Sequence, residues 1–115
     1  INEMLNQEKL LNHPEIDSIC RGGEMYIRRR SVSKFINLCG QNNIAIVGIE
    51  GFNLSGEKII PDMNLIADLS CSKGNIWSDY MQNCNDSTIM FFDQMIAESN
   101  LIFSFTLLSE HEWNL

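Results

Sequence analysis

Histidine is scarce in this chain. There are two, His13 ahead of Pro14 and His111 near the C-terminal end, and neither has flanking sequence that would hold an imidazole beside Ser70 or Cys71. A Ser–His or Cys–His nucleophile therefore has no support. The four cysteines, Cys20, Cys39, Cys71 and Cys84, include no Cys-x-x-Cys pair, which argues against zinc and against a thioredoxin-like dithiol. They are also too thinly spread for the disulfide framework of a small secreted domain. A glycine-rich phosphate loop is missing, because "GIEGF" sets its glycines in a strand-like run rather than at the opening of a helix. "NCNDS" has the letters of a calcium loop without the spaced ligands, the glycine or the closing glutamate. No metal and no cofactor is expected. No apolar run approaches the roughly 18 residues a membrane span needs, and residues 1–20 lack the basic–apolar–small order of a secretory signal. Repeats, low-complexity tracts and linkers are absent too. The reading is a single cytoplasmic domain over residues 1–115, with reduced thiols and no membrane association.

Cations are scarce beyond residue 46. The net charge is −7, and it is segregated: up to Ile46 there are five acidic and six basic residues, whereas from Val47 onward there are ten acidic and two basic. Such a field repels nucleic acid and anionic lipid and attracts basic partners. Solubility alone accounts for net acidity but not for its segregation. The triplet Arg28-Arg29-Arg30 spreads round a helix or alternates on a strand, so it does not form one patch. It is expected to pair with acidic neighbours inside the fold rather than with nucleic acid.

Periodicity gives the elements. Residues 1–12 place Ile1, Met4, Leu5 and Leu11 near helical spacing, with Pro14 as a stop. "HPEIDSICRGG" reads as a connector. Val32, Phe35, Ile36 and Cys39 form a helical stripe that Gly40 can close. The start is left open between Ser31, which can cap, and a point nearer Glu24, toward which the basic triplet leans because cations oppose the dipole at a helix N-terminus. "IAIVGIE" is apolar on both alternating sets, as in an inner strand, and Gly48 within it suggests a bulge or a close approach. "GFNLSGEKII" reads as a hairpin turning at Ser55-Gly56. Pro61 ends that arm, and "MNLIADLS" reads as a further short strand, with a turn of helix opening at Asp62 as the alternative. Residues 76–99 read as helix in two pieces broken near "NCNDS", where Asp86 or Ser87 would cap the second and Ile89, Phe92 and Ile96 would line its inner face. "NLIFSFTLL" is a strand with Leu101, Phe103, Phe105 and Leu107 on one face, and "SEHEWNL" is a polar tail. The expected fold is α+β, with helices packed on a mixed, mostly antiparallel sheet of about four strands.

Glu50, Asp62 and Asp68 fall on or beside these strands. Acid–base catalysis needs carboxylates in different environments at defined separation, and the same residues serve equally as turn anchors or as solvated charge. A small enzyme built on these three is one alternative. A structural domain that self-associates through a sheet edge is another.

From Met25 to Leu108, through "RRRSVSKFINLCGQNN", "AIVGIEGF" and "KIIPDMNLIADLS", the sequence resembles small bacterial immunity proteins of polymorphic toxin systems, including contact-dependent growth inhibition. The pattern lies in Gly48-Ile49-Glu50-Gly51-Phe52 and Pro61-Asp62. The resemblance implies a cytosolic antitoxin, not an enzyme, that binds and blocks the C-terminal domain of a cognate toxin. Such toxin domains are often nucleases that cleave tRNA or DNA; a third, host protein in the complex is left open. No contact residue transfers by motif. From the residues themselves the expected toxin-binding set is Glu50, Asp62, Asp68, Trp77, Asp79, Tyr80 and Asp86, carboxylates and polar-flanked aromatics of the kind that form interface anchors. The competing roles are backbone capping for Glu50 and Asp68, core packing for Trp77, and a helix cap for Asp86.

Overall fold

The computed structural model describes residues 5–96, 98 and 100–115. Ile1 and Met4 of the expected first helix lie outside the described residues. What remains is α1, Gln7–Leu11, capped by Asn6 accepting from the Lys9 N–H and fixed by the buried Leu10.

The stretch read as a connector is a hairpin. Strands β1 (Ser18–Arg21) and β2 (Glu24–Arg28) pair antiparallel across Gly22-Gly23. Both glycines take positive φ, 59° and 81°, the signature of a tight two-residue turn. The start of the next helix, left open between Ser31 and Glu24, falls at the later position, against the lean of the basic triplet. Arg28 ends a strand, a single 3-10 turn spans Arg29–Ser31, and α2 runs Val32–Gln41. Gly40 lies inside it, and the chain turns instead at Asn43, with φ 61°.

Strands β3 (Ile44–Ser55) and β4 (Lys58–Asp68) form the long hairpin. Pro61 does not end β4, because β4 is an edge strand and can spare an N–H. Helix α3 is one piece, Trp77–Asp93. The polar "NCNDS" turn does not break it, since Cys84 and Asn85 point inward and Asp86 outward. The buried stripe is Trp77, Tyr80, Cys84, Thr88 and Phe92; Ile89 and Ile96 are exposed. Strand β5, Leu101–Ser109, has the expected alternation. The tail then folds into α4, Glu110–Trp113, through a capping box between Ser109 and Glu112.

Among the described residues the sheet has five strands in the order β1-β2-β5-β3-β4, all antiparallel, one more than expected and with none of the parallel pairing. Its core face meets α1, α2 and the C-terminal half of α3. Phe35 stacks on Phe105 at 5.1 Å, and Phe92 meets Phe103 edge-on at 4.8 Å. A second cluster closes one end, where Trp113 packs on Trp77 and Tyr80 over Ala45 and Val47. Among the described residues no helix is long and apolar enough to cross a membrane.

Candidate partner-binding surface

Cross-strand register decides which carboxylates share a face. Glu50 sits opposite Ile66 on β4 and Ser104 on β5, and Gly48 sits opposite Asp68 and Thr106. Neighbouring positions in register point the same way. Glu50 and Asp68 therefore stand on one face, as diagonal neighbours. That face lies opposite the one that packs on α1 and α2, and Glu50, Ile66, Asp68 and Thr106 are all exposed on it.

Asp62 is separated from them. Between Asp62 and Ile66 the strand carries Met63, Asn64 and Leu65 with no counterpart on β3, where Glu50 and Gly51 are adjacent. This bulge reverses the alternation. Asp62 pairs with Gly51, whose missing Cβ would point at Leu65 and Phe103 of the core. The carboxylate anchors the bulge by accepting the Asn64 N–H at 3.0 Å, and it faces Asn53. An acid–base trio of Glu50, Asp62 and Asp68 is thus not assembled, and Asp62 leaves the candidate surface.

Asp68 has a local partner. Its Oδ1 accepts the Ser70 hydroxyl at 2.6 Å and the Ser70 N–H at 3.0 Å, which holds the carboxyl below its ordinary value and fixes its rotamer. Glu50 has no hydrogen-bond or ion-pair partner among the described residues. Beside it, Tyr26 meets Phe52 edge-on at 5.1 Å. Partial burial first, then Glu24 and Glu50, push the Tyr26 phenol above its ordinary value, so both glutamates lie close to it. The Ser104 hydroxyl donates to Glu24. Glu24 and Tyr26 are not legible as candidates while their stretch reads as connector and helix; Gly22-Gly23 between two short strand-like runs is the signal that marks the hairpin.

Trp77 and Tyr80 are buried, 4% and 6% exposed, so a partner cannot reach them and they too leave the candidate set. Trp77 Nε1 donates to Asn43 Oδ1 at 2.9 Å and the Tyr80 hydroxyl donates to the Ser70 carbonyl at 2.7 Å. Burial is the main reason the Tyr80 phenol is pushed up to about 12. Asp79 and Asp86 are exposed on the outer side of α3; Asp86 accepts from Gln82 at 2.8 Å and caps nothing.

Two of the three arginines pair with an acidic neighbour, as expected, and Arg29 is held by an aromatic ring and a carbonyl instead. Arg28 and Arg30 both bind Asp17. Arg29 lies over the Phe92 ring at 5.1 Å and donates to its carbonyl oxygen. Lys34 pairs with Glu15 at 3.1 Å. The two halves of the chain thus differ in surface character: among the described residues Arg28, Arg30 and Lys34 in the first pair with Asp17 or Glu15, whereas Glu50, Asp68, Asp79 and Asp86 in the second face outward.

Comparisons of the chain with protein-family models, with curated proteins and with solved structures give no match.

Proposed function

We propose that this chain is an immunity protein, a cytoplasmic inhibitor that binds the basic C-terminal nuclease domain of a cognate toxin from a contact-dependent growth inhibition or related polymorphic toxin system. The toxin domain is an RNase, with tRNA as the first candidate target, and the inhibitor itself catalyses nothing. The observation that carries this reading is the outward placement of Glu50, Asp68, Asp79 and Asp86 while Arg28, Arg29 and Arg30 are held by partners within the fold. A nuclease cleft must be basic to hold phosphates, and an acidic protein complements that surface. The same complementarity raises the encounter rate, which suits an inhibitor that must act before damage accumulates. The sequence pattern around Gly48–Phe52 and Pro61-Asp62 supports the same class.

The test is a mixture with the C-terminal domain of the secreted protein encoded beside this chain. A 1:1 complex on size exclusion, with loss of RNA cleavage, is the expected result. Undiminished cleavage at equimolar inhibitor overturns the reading.

A further inference from the structure

Resting on that reading, we propose where the basic partner is held: an arginine of the partner enters the groove on the open sheet face over β3, flanked by β4 and β5, its guanidinium lying between Glu50 and Asp68. The groove holds about 300 Å³ and has Gly48 as its floor, Ile66 and Thr106 as walls, and the two carboxylates at its rim. That volume corresponds to on the order of ten waters, room for one long side chain. Gly48 keeps the floor at backbone level, since a Cβ there would come to 3.0 Å from Thr106 Oγ1.

Charge and spacing select the occupant. Diagonal neighbours on antiparallel strands stand about 7–8 Å apart at their Cα atoms, so one cation between the carboxylates lies within about 4 Å of each. Ser70 engages one oxygen of Asp68, and among the described residues nothing bonds the other oxygen or Glu50. Arginine suits the place better than lysine, because its planar fork reaches two carboxylates at once.

The rival surfaces are weaker. Asp79, Asp86 and Asp93 repeat every seven residues on α3, about 10 Å apart along the axis, so they do not converge on one cation. The free edge of β4 exposes Ile60, Met63 and Ile66, but Pro61 and the bulge at Met63–Leu65 interrupt the ladder a second strand would need. The occupant therefore lies on the face of the sheet and not along its edge.

Two arms test this. In the first, ¹⁵N amide spectra of the full chain are followed while a tri-arginine peptide is added, with tri-lysine as comparison. The expected shifts cluster at residues 48–50, 66–68 and 104–106, are larger for arginine, and vanish in E50Q/D68N. Shifts centred on α3, shifts spread evenly, or none overturn the placement. In the second, binding to the cognate toxin domain is compared for E50Q/D68N and for D79N/D86N/D93N, all exposed positions whose folding the same spectra verify. The first variant is expected to weaken affinity at least about tenfold and the second less than about threefold. The reverse order overturns the groove while leaving the inhibitor reading intact. Failure of the unaltered chain to bind the domain removes that reading instead, and the peptide arm still decides the groove.

Discussion

Asn85, midway along α3, stands beside Ile46 as a neighbouring strand would. Its Oδ1 accepts the Ile46 N–H at 2.9 Å and its Nδ2 donates to the Ile44 carbonyl at 3.0 Å. β4 pairs with β3 only from Gly48 onward, so the first residues of β3 have no strand on that side, and one buried amide supplies the missing ladder. Asn85→Ala strands two buried backbone groups, and chemical denaturation should show a loss of about 2–4 kcal/mol. Asn85→Asp keeps the acceptor but sets a negative oxygen against the Ile44 carbonyl, and should cost more than alanine.

Gly51 carries the other local constraint. A Cβ there would lie 2.4 Å from Leu65 Cβ and 3.1 Å from Phe103 Cε1, because the β4 bulge drives Leu65 across the strand. Gly51→Ala should destabilise by about 1–3 kcal/mol. In a Leu65→Ala background the same change should cost distinctly less, and a double-mutant cycle of denaturation midpoints measures the coupling.

Thiol reactivity should divide the cysteines in two. Cys20 and Cys71 are exposed; Cys39 and Cys84 are buried, and burial pushes the Cys39 thiol up to about 12. At about pH 8, iodoacetamide should add two groups quickly and the remaining two only on unfolding, as read by mass spectrometry of the intact chain.

Acid should loosen the C-terminal end first. The Ser109 N–H, donating to Glu112 within the capping box, holds that carboxyl below its ordinary value of 4.5, as Ser70 holds Asp68 below 3.8. In both, the folded value is the lower one. Their contribution is therefore complete above the ordinary value and fades as pH falls through the folded one. Trp113 reports on α4 through its contact with Trp77 at 5.8 Å. Tryptophan fluorescence should begin to change below pH 4.5. Ser109→Ala should move that onset upward.

What was legible in the sequence followed from strong local pattern. Leu101, Phe103, Phe105 and Leu107 alternate because one face of β5 meets the helices, and Gly48 marked a true register shift against β5. What was missed depends on contacts distant in sequence. The unity of α3 depends on Asn85 meeting Ile46, 39 positions away, which no helical periodicity contains. Asp17 gathers Arg28 and Arg30, so the triplet gave no guide to where α2 begins. The β1–β2 hairpin is short, with only Ile27 fully buried, and its signal lay in two glycines alone. In the candidate site, alternation pairs Glu50 with Asp68 once the register is known, but the bulge that turns Asp62 to the other face has no local mark.

The association rate of this chain with its cognate basic toxin domain, followed by stopped flow across about 50 to 500 mM salt, tests the central claim most directly. The rate should fall steeply with salt while dissociation changes little, and E50Q/D68N should flatten that dependence. A rate indifferent to salt and to those two carboxylates would contradict the account.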